Sequence, residues 1–519
     1  MSVKNDAIFW ITPSGYRDPQ LVNCGNVEAF GKYWGQLPEA TNWANGYDPT
    51  PSGRQHFHAQ TQSPQVTENR QGVLSKIGGG VNCNDNRRAI IDFSNHDDNS
   101  CPSISMVGQF QQLLQSTEDL TNTGVWRYRD VNLQAENNDV DPFQTTNVYR
   151  LYGAAGQSSS VNQLNGSIWQ QIAYNRASGA QYLRTQGATT SIFVKRGTQG
   201  TRVGLVAKYA FTSSNANDYY AVFDFDTELI QAGWPTTFQN NISPSYDKQL
   251  EFKVEKYPNG WYRLVVSHWQ TGNFWRYFAC YTLKDSVTPQ SWYNSWENND
   301  FQSYICDDNQ YFLISKPNYG VNGIVVVNDN MEVSGSYASS AGRPPYVENT
   351  STTASVTKLQ TGIRQILPNA ATDNYSFFWD IYVTNDVPRH HGRQAIQEFY
   401  SSFSPRQYNP FFYFTQPEYY AGRTDHVKGE CRVRLKWPTT GNPLGQDIAI
   451  PQGRNKLFFQ NNEVWINGVK YDSDEDWQVG AVDYYGYKQY QIKAQARYFI
   501  KNAGFWNRQL TEVEIQTLM

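Results

Sequence analysis

Short apolar runs of strand period, each closed by turn residues, recur along most of this chain, and they decide what it can fold into. "LEFKVEKY" (250–257) alternates strictly, with Leu250, Phe252 and Val254 on one face and Glu251, Lys253 and Glu255 on the other. It runs through "PNG" into "WYRLVVSHW" (261–269), and Asn259-Gly260 is a dipeptide that favours a tight hairpin. "SIFVKR" (191–196), "GLVAKYAF" (204–211), "YYAVFDFDT" (219–227) and "FWRYFACYTL" (274–283) carry the same signal. It resumes in "YSFFWDIYVT" (375–384), "FFYFT" (411–415), "CRVRLKW" (431–437), "KLFFQ" (456–460), "EVWINGVKYD" (463–472) and "YQIKAQARYFI" (490–500), where Asn467-Gly468 marks a second hairpin. Strands this frequent, with no helical pattern between them, predict an all-β fold of jelly-roll or sandwich modules. An aromatic content of 15% suits it, because aromatic side chains favour a half-buried pleated surface.

A chain of 519 residues exceeds a single core. Residues 331–350, rich in Gly, Ser and Ala with a Pro-Pro pair, read as a linker. The expected order is therefore a loop-rich N-terminal docking segment (1–71), a first β-sandwich module (72–345, core 106–330) and a second in tandem (346–519). The N-terminal segment is punctuated by Pro and Gly. Yet Phe9, Trp10, Phe30, Tyr33, Trp34, Trp43 and Tyr47 make it too apolar for a disordered tail. It should order against another surface, either of its own chain or of a partner protein. At the other end, Thr511-x-x-Glu514 is a capping box, and Val513, Ile515 and Leu518 give the short C-terminal helix an apolar side that packs back on the sheets.

A net charge of −4 without a basic block argues against nucleic acid as a partner. No apolar run reaches the ~18 residues a membrane span needs. The apolar stretch near Met1 is too short for a signal peptide; a secreted enzyme or lectin would carry one unless already processed, and a protein that leaves a cell by lysis inside an assembled particle would not need one. Six cysteines (Cys24, Cys83, Cys101, Cys280, Cys306, Cys431) without a CxxC pair read as free thiols, with Cys83–Cys101 the nearest alternative pairing.

Sugars present apolar C–H faces that stack on aromatic rings. The aromatics Trp269, Trp275, Tyr277, Trp292, Tyr293 and Trp296 cluster in sequence with Asn273, Asn294, Asn298 and Asn299, the composition of a glycan groove. Alternation in "FWRYF" sends half of this set into a core, so part of the cluster is structural. The acidic loop "DSDEDW" offers Asp472, Asp474 and Asp476 as weak Ca²⁺ ligands without EF-hand spacing, and Asp139, Asp141, Asp307 and Asp308 offer no more. His56, His58, His390, His391 and His426 lack the convergent partners of a metal centre and suit a subunit interface equally well. Asp224, Asp226 and Asp380 lie on strands, as glycosidase acids sometimes do, but also as any exposed strand face does. The triplet Gly78–Gly80 lacks the Lys-Ser/Thr of a phosphate loop. No catalytic residue, metal or cofactor is assigned.

Two resemblances add to this reading. "EVWINGVKYDSD" followed by "RYFIKNAGFWNRQLTEVEIQTLM" resembles the end of the concanavalin A-like, laminin-G-like sandwich family, carried by Asn507, Arg508, Leu510, Thr511, Glu514 and Ile515. Upstream, "GVLSKIGGGVNCNDNRRAIIDFSNHDDNSCPSISMVGQFQQLLQSTEDL" (72–120) resembles the lead-in of a phage virion and tail-fibre module. The rest of that module follows in order, through "SIFVK", "VFDFDT" and "NGWYRLVV" to the exit "GSYASSAGRPPYVENTSTTASVT". The likeness covers about 72–357, departs from the family at Gln111 and Leu120, and gives the middle module the pattern of a carbohydrate-binding jelly roll. It implies a non-enzymatic phage virion protein: a tail fibre, tail spike or receptor-binding protein that adheres to host-surface glycan. The implied partners are other virion proteins and its own copies, a trimer by analogy, on the outer surface of a particle. A capsid decoration protein or head fibre is the first alternative and a capsular polysaccharide depolymerase the second.

Overall fold

A computed structural model describes residues 3, 9–11, 57–60, 65–68, 74–77, 91–92, 103–106, 110–154, 164–171, 187–207, 219–233, 250–269, 277–298, 300, 303–322, 346–352, 356–358, 362–367, 376–383, 394–398, 412–414, 431–434, 447–451, 453–460, 463–472, 488–493, 498–506 and 508–519. The fold is all-β with antiparallel pairing, and the described α-helices are Pro289–Glu297 and Glu512–Leu518.

The chain forms two compact units, and their division corrects the tandem order. One unit is Gln71–Leu74 with Phe110–Lys358; the other joins Met1–Arg70 and Ser75–Gln109 to Leu359–Met519. Residues 346–358 thus belong to the middle module, and most of the first hundred residues belong with the C-terminal part. The reason is strand pairing between segments remote in sequence, which local pattern does not reveal.

In the Phe110–Lys358 unit two sheets face each other. The first runs in the order Leu250–Tyr257, Trp261–Trp269, Gly187–Arg196, Tyr311–Asn322, Val148–Gly153, Val131–Glu136. The second runs Leu229–Gly233, Tyr219–Asp224, Thr201–Ala207, Tyr277–Lys284, Ser167–Gln171, Arg127–Arg129. Alternation builds the core between them. Ile192, Val194, Leu264, Val266, Phe312 and Ile314 come from the first sheet, and Ile168, Val203, Leu205, Phe223, Phe278 and Cys280 from the second. The hairpin expected at Asn259-Gly260 is present, both residues holding positive φ (62° and 76°) between Leu250–Tyr257 and Trp261–Trp269. Among the described members of the first face of "LEFKVEKY", Val254 packs on this core, while Glu255 on the opposite face pairs with Arg263.

The two ends of this unit are knit together. Phe110–Gln112 pairs with Tyr311–Asn322 and also with the exit strand Val356–Lys358, in the register Gln112↔Val356 and Phe110↔Lys358. Gln112 is fully buried; its amide nitrogen donates to Asn318 and to the Val347 carbonyl (3.0 Å), and its oxygen accepts from the N–H of Leu114 and Tyr319. Asn349 and Thr117 exchange further backbone and side-chain bonds across the same seam. Tyr346, Val347 and Asn349, placed by sequence at the end of the linker, are therefore buried structure.

In the other unit, one sheet runs Val469–Asp472, Glu463–Ile466, Gly453–Gln460, Ser376–Val383, Tyr498–Trp506, Ser103–Met106, Ile91–Asp92, with Phe9–Ile11 added to Tyr498–Trp506. A second runs Phe57–Gln60, Gly362–Leu367, Lys488–Lys493, Gln394–Glu398, Phe412–Phe414, Cys431–Arg434, Asp447–Ile450. The described part of the N-terminal segment therefore pairs within its own chain, and Val3 accepts a bond from the Trp506 indole (2.9 Å). Asn467-Gly468 again turns a hairpin with positive φ at both residues (50° and 86°). The C-terminal helix lays Ile515 and Leu518 on Phe378, Phe458, Trp465 and Trp506.

That helix begins as its sequence implies. The Thr511 hydroxyl accepts from the Glu514 N–H, and the Glu514 carboxylate accepts from the Thr511 N–H and from both terminal nitrogens of Arg508. These bonds, those of Arg508 foremost, hold the Glu514 carboxyl down at about 2, against an ordinary 4.5. A depressed folded-state value means the stabilisation is complete above the ordinary value and is lost as pH falls towards the folded one. Glu514→Gln is expected to flatten the acid limb of the stability–pH curve in that window, and Thr511→Ala to cost ~1 kcal/mol at neutral pH. Urea unfolding of both variants across that range checks this; an unchanged acid limb in Glu514→Gln would contradict the assignment.

Candidate binding surface

The expected aromatic set meets the structure at the outer face of the second sheet, where the Pro289–Glu297 helix covers it. The sequence starts this helix locally. Thr288 and Ser291 exchange reciprocal side-chain-to-backbone bonds (2.9 and 3.1 Å), and Pro289 takes the first helical position, where a missing N–H costs nothing. Gln290, Ser291 and Asn294 face water, and Trp292 faces the sheet.

Trp292 is fully buried, a correction to its place among the glycan-contacting candidates. Its ring meets Tyr281 edge-on at 4.9 Å, Tyr220 edge-on at 5.2 Å, and Tyr304 tilted at 6.1 Å. Gly204 lies beneath it; a β-carbon there would come within 2.5 Å of the indole. The physical reason is that this sheet buries both faces, one on the other sheet and one under the helix, so its outward side chains form a second core of Tyr220, Val222, Ala279, Tyr281 and Leu283. Tyr277 is likewise buried, edge-on to Trp169 at 5.6 Å, which corrects its assignment as an open stacking surface.

Tyr293 keeps partial exposure at the edge of this second core, edge-on to Tyr220 at 5.6 Å. Trp169, which the sequence reading missed, occupies the same kind of position. Its signal was the alternation in "SIWQQ", where Ile168 joins the main core and Trp169 therefore points to the other face. Trp269 closes its strand opposite Gly187, and Trp296 lies in the helix. The side chains of these two, and the whole of Trp275, lie outside the described residues. The described aromatics with partial exposure on this face are Trp169, on the Ser167–Gln171 strand, and Tyr293, on the helix that also carries the exposed amides of Gln290 and Asn294.

The strand carboxylates singled out earlier are tied into ion pairs. Arg202 holds Asp224 at 2.5 Å and Arg196 holds Asp226 at 2.6 Å. Asp380 is buried, gripped by both Nε and Nη2 of Arg454 (2.8 and 2.6 Å), with Asn502 donating at 2.9 Å. Asp139 pairs with Lys195, and Asp141 is buried.

Asp472 ends a strand, and Asp474 and Asp476 lie outside the described residues. Among the described residues no cluster of His, Cys, Asp and Glu is placed to hold a metal ion. Cys280 and Cys306 are buried free thiols. Burial pushes the Cys306 thiol up to about 12, and it donates to the Leu283 carbonyl at 2.6 Å. The Cys83–Cys101 pairing and the side chains of His56, His58, His390, His391 and His426 lie outside the described residues.

No family model matches the chain, and no curated protein matches it. Among solved structures it is similar to the CBM22-1–GH10 modules of the Clostridium thermocellum N-terminal endo-1,4-β-D-xylanase 10B, complexed with xylohexaose. That likeness has 10% sequence identity and a TM-score of 0.19, over 43% of this chain and 30% of the other, so the chain spans less than a third of that enzyme's length.

If Trp292 is core, Trp292→Ala leaves a cavity and is expected to cost about 3–5 kcal/mol of stability. Gly204→Ala is expected to destabilise by about 1–3 kcal/mol through overpacking against the same ring. Denaturant midpoints measure both, and a Trp292→Ala midpoint equal to wild type would return the residue to the surface.

Proposed function

We propose that this chain is a phage virion structural protein, a tail fibre, tail spike or receptor-binding protein that adheres to host-surface glycan without catalysis. The observation that carries this reading is the closure of the middle module. The lead-in "QQLLQSTEDL" and the exit "YVENTSTTASVT", the segments that resemble the virion family, are hydrogen-bonded to each other, and the lead-in also pairs with the Tyr311–Asn322 strand. Residues placed far apart by sequence thus act as one structural cassette, in the order the family resemblance requires. The concanavalin A-like resemblance of the last residues fits a unit whose capped helix seals an antiparallel sheet.

Adhesion is the chemistry the described surface suits. Tyr293 offers an aromatic ring to the apolar side of a pyranose, Gln290 and Asn294 on the same helix offer amides to its hydroxyls, and Trp169 offers a second, separate aromatic position on the same sheet face. The strand carboxylates, paired with arginines, serve the fold in this reading and leave bond cleavage out of it. Single shallow sugar sites bind weakly. Copies on one particle raise avidity by ~10²–10⁴-fold when they engage together, which is why a homo-oligomer, a trimer by analogy, belongs to the proposal. Its partners are other virion proteins, its own copies and glycan, and its location is the surface of the particle.

Gold-labelled antibody against residues 351–519 on intact particles tests the placement. Label at the tail tip is expected, whereas label over the head would make this a decoration or head-fibre protein. On a glycan array, the protein should retain bound sugar unshortened, and Trp169→Ala with Tyr293→Ala should each lose about 1 kcal/mol of affinity. Release of shorter oligosaccharides from a capsular polysaccharide would replace adhesion by depolymerisation.

A further inference from the structure

The Tyr311–Asn322 strand carries an irregularity with a chemical consequence. Lys316 holds a positive φ of 48°, opposite a register shift between Ser191 and Phe193 on the neighbouring strand. A lysine in the left-handed region inside a strand is strained, and such a bulge re-aims its side chain. Here it aims the ammonium into the protein, where the Lys316 side chain has 0% exposure. Nζ lies 2.5 Å from Glu118 Oε2 and 3.1 Å from Asp141 Oδ2, beneath the rings of Phe143 and Tyr346 at 5.7 and 5.8 Å. The Asp141 side chain also has 0% exposure, and that of Glu118 12%. One cation is thus enclosed with two carboxylates and two aromatic rings.

The two carboxylates are held differently. Asp141 Oδ1 accepts the backbone N–H groups of Phe143 (2.9 Å) and Thr145 (3.0 Å), an arrangement that would stabilise negative charge building on a carbonyl oxygen. Its Oδ2, the oxygen facing Lys316, accepts the hydroxyls of Thr145 (2.7 Å) and Ser315 (3.0 Å). Glu118 is held by side chains: Tyr346 donates to Oε1 at 2.5 Å, and Asn147 donates to Oε2 at 2.8 Å. Asp141 has the fittings of an acyl acceptor, and Glu118 those of a proton carrier touching the nucleophile.

We propose that Lys316 and Asp141 condense into an intramolecular amide cross-link, with Glu118 as the catalytic base. Glu118 takes a proton from the ammonium, and the freed amine adds to Cγ of Asp141 as charge moves onto Oδ1 between the two N–H groups. The intermediate collapses by breaking the Cγ–Oδ2 bond. Two of the three ammonium protons, one carried by Glu118, leave with Oδ2 as water. The sum is ammonium plus carboxylate to amide plus water, balanced in atoms and charge without oxidant, cofactor or activating group. In bulk water the ions are the favoured side. In a dry enclosure ions pay for lost hydration while a neutral amide does not, so burial turns the equilibrium towards the bond. Nζ already lies 3.1 Å from Oδ2, the oxygen bonded to the carbon it would attack, so the reacting groups start in contact.

The bond would tie the loop before Val148–Gly153 to the shared Tyr311–Asn322 strand, in a unit whose two described cysteines are free. This inference is independent of the glycan reading, because its test does not involve sugar. The denatured full-length chain, weighed by mass spectrometry, is expected to fall short of its sequence mass by one water. Proteolysis should release a branched peptide with Asp141 joined to Lys316. Glu118→Gln keeps both reacting groups and is expected to slow the reaction by ~10²-fold or more, leaving freshly purified, folded protein at full sequence mass. Wild-type chain at full sequence mass, or a water lost through a link to Glu118 or elsewhere, overturns the proposal. The wild-type mass decides even if a variant does not fold.

Discussion

The middle unit depends on one buried amide. Gln112 makes four hydrogen bonds with no exposure to water, reaching the strand after Lys316, the loop that follows its own strand and the returning segment at Val347. Each polar group left unsatisfied in such a place would cost about 1–3 kcal/mol, so the amide specifies a single arrangement of three distant segments. The neighbouring bonds of Thr117, Tyr346 and Asn349 extend the same seam. Because three of the four bonds of Gln112 reach residues 206 to 235 positions away, the seam closes only when the whole unit has been assembled. Such non-local closure is expected to make folding slow and all-or-none.

Much of the local structure was readable because its signals are local. Asn259-Gly260 and Asn467-Gly468 turn hairpins since those residues tolerate positive φ, and Thr511 with Glu514 caps a helix through bonds three residues apart. The strand alternation of 191–196 and 261–266 survives as a core-facing stripe. The helix over 289–297 was missed although its start was written in Thr288, Pro289 and Ser291. Its aromatic-rich body, with Trp292, Tyr293 and Trp296, has the same composition as the strands around it.

The surface aromatics were harder for a different reason. A strand buried on both faces has no polar face to compare with, and Tyr277–Lys284 is buried at every position but its last. Nothing in "FWRYFACYTL" states that a helix will cover its second face, so Trp292 and Tyr277 could not be told from a binding platform. The domain division failed similarly. Phe9–Ile11 pairs with Ala503–Phe505, and no local pattern encodes a partner almost five hundred residues away.

The pairing of Phe110–Gln112 with Val356–Lys358 sets the entry and exit of the middle unit side by side, at the spacing of adjacent strands, ~4.8 Å. A module whose ends meet this closely demands almost nothing of the polypeptide that receives it. It can be spliced into a surface turn, duplicated or exchanged for another of the same footprint, and the flanking backbone need not change its course. This geometry turns recombination into a tolerated event: the coding segment for 110–358 can move as a block.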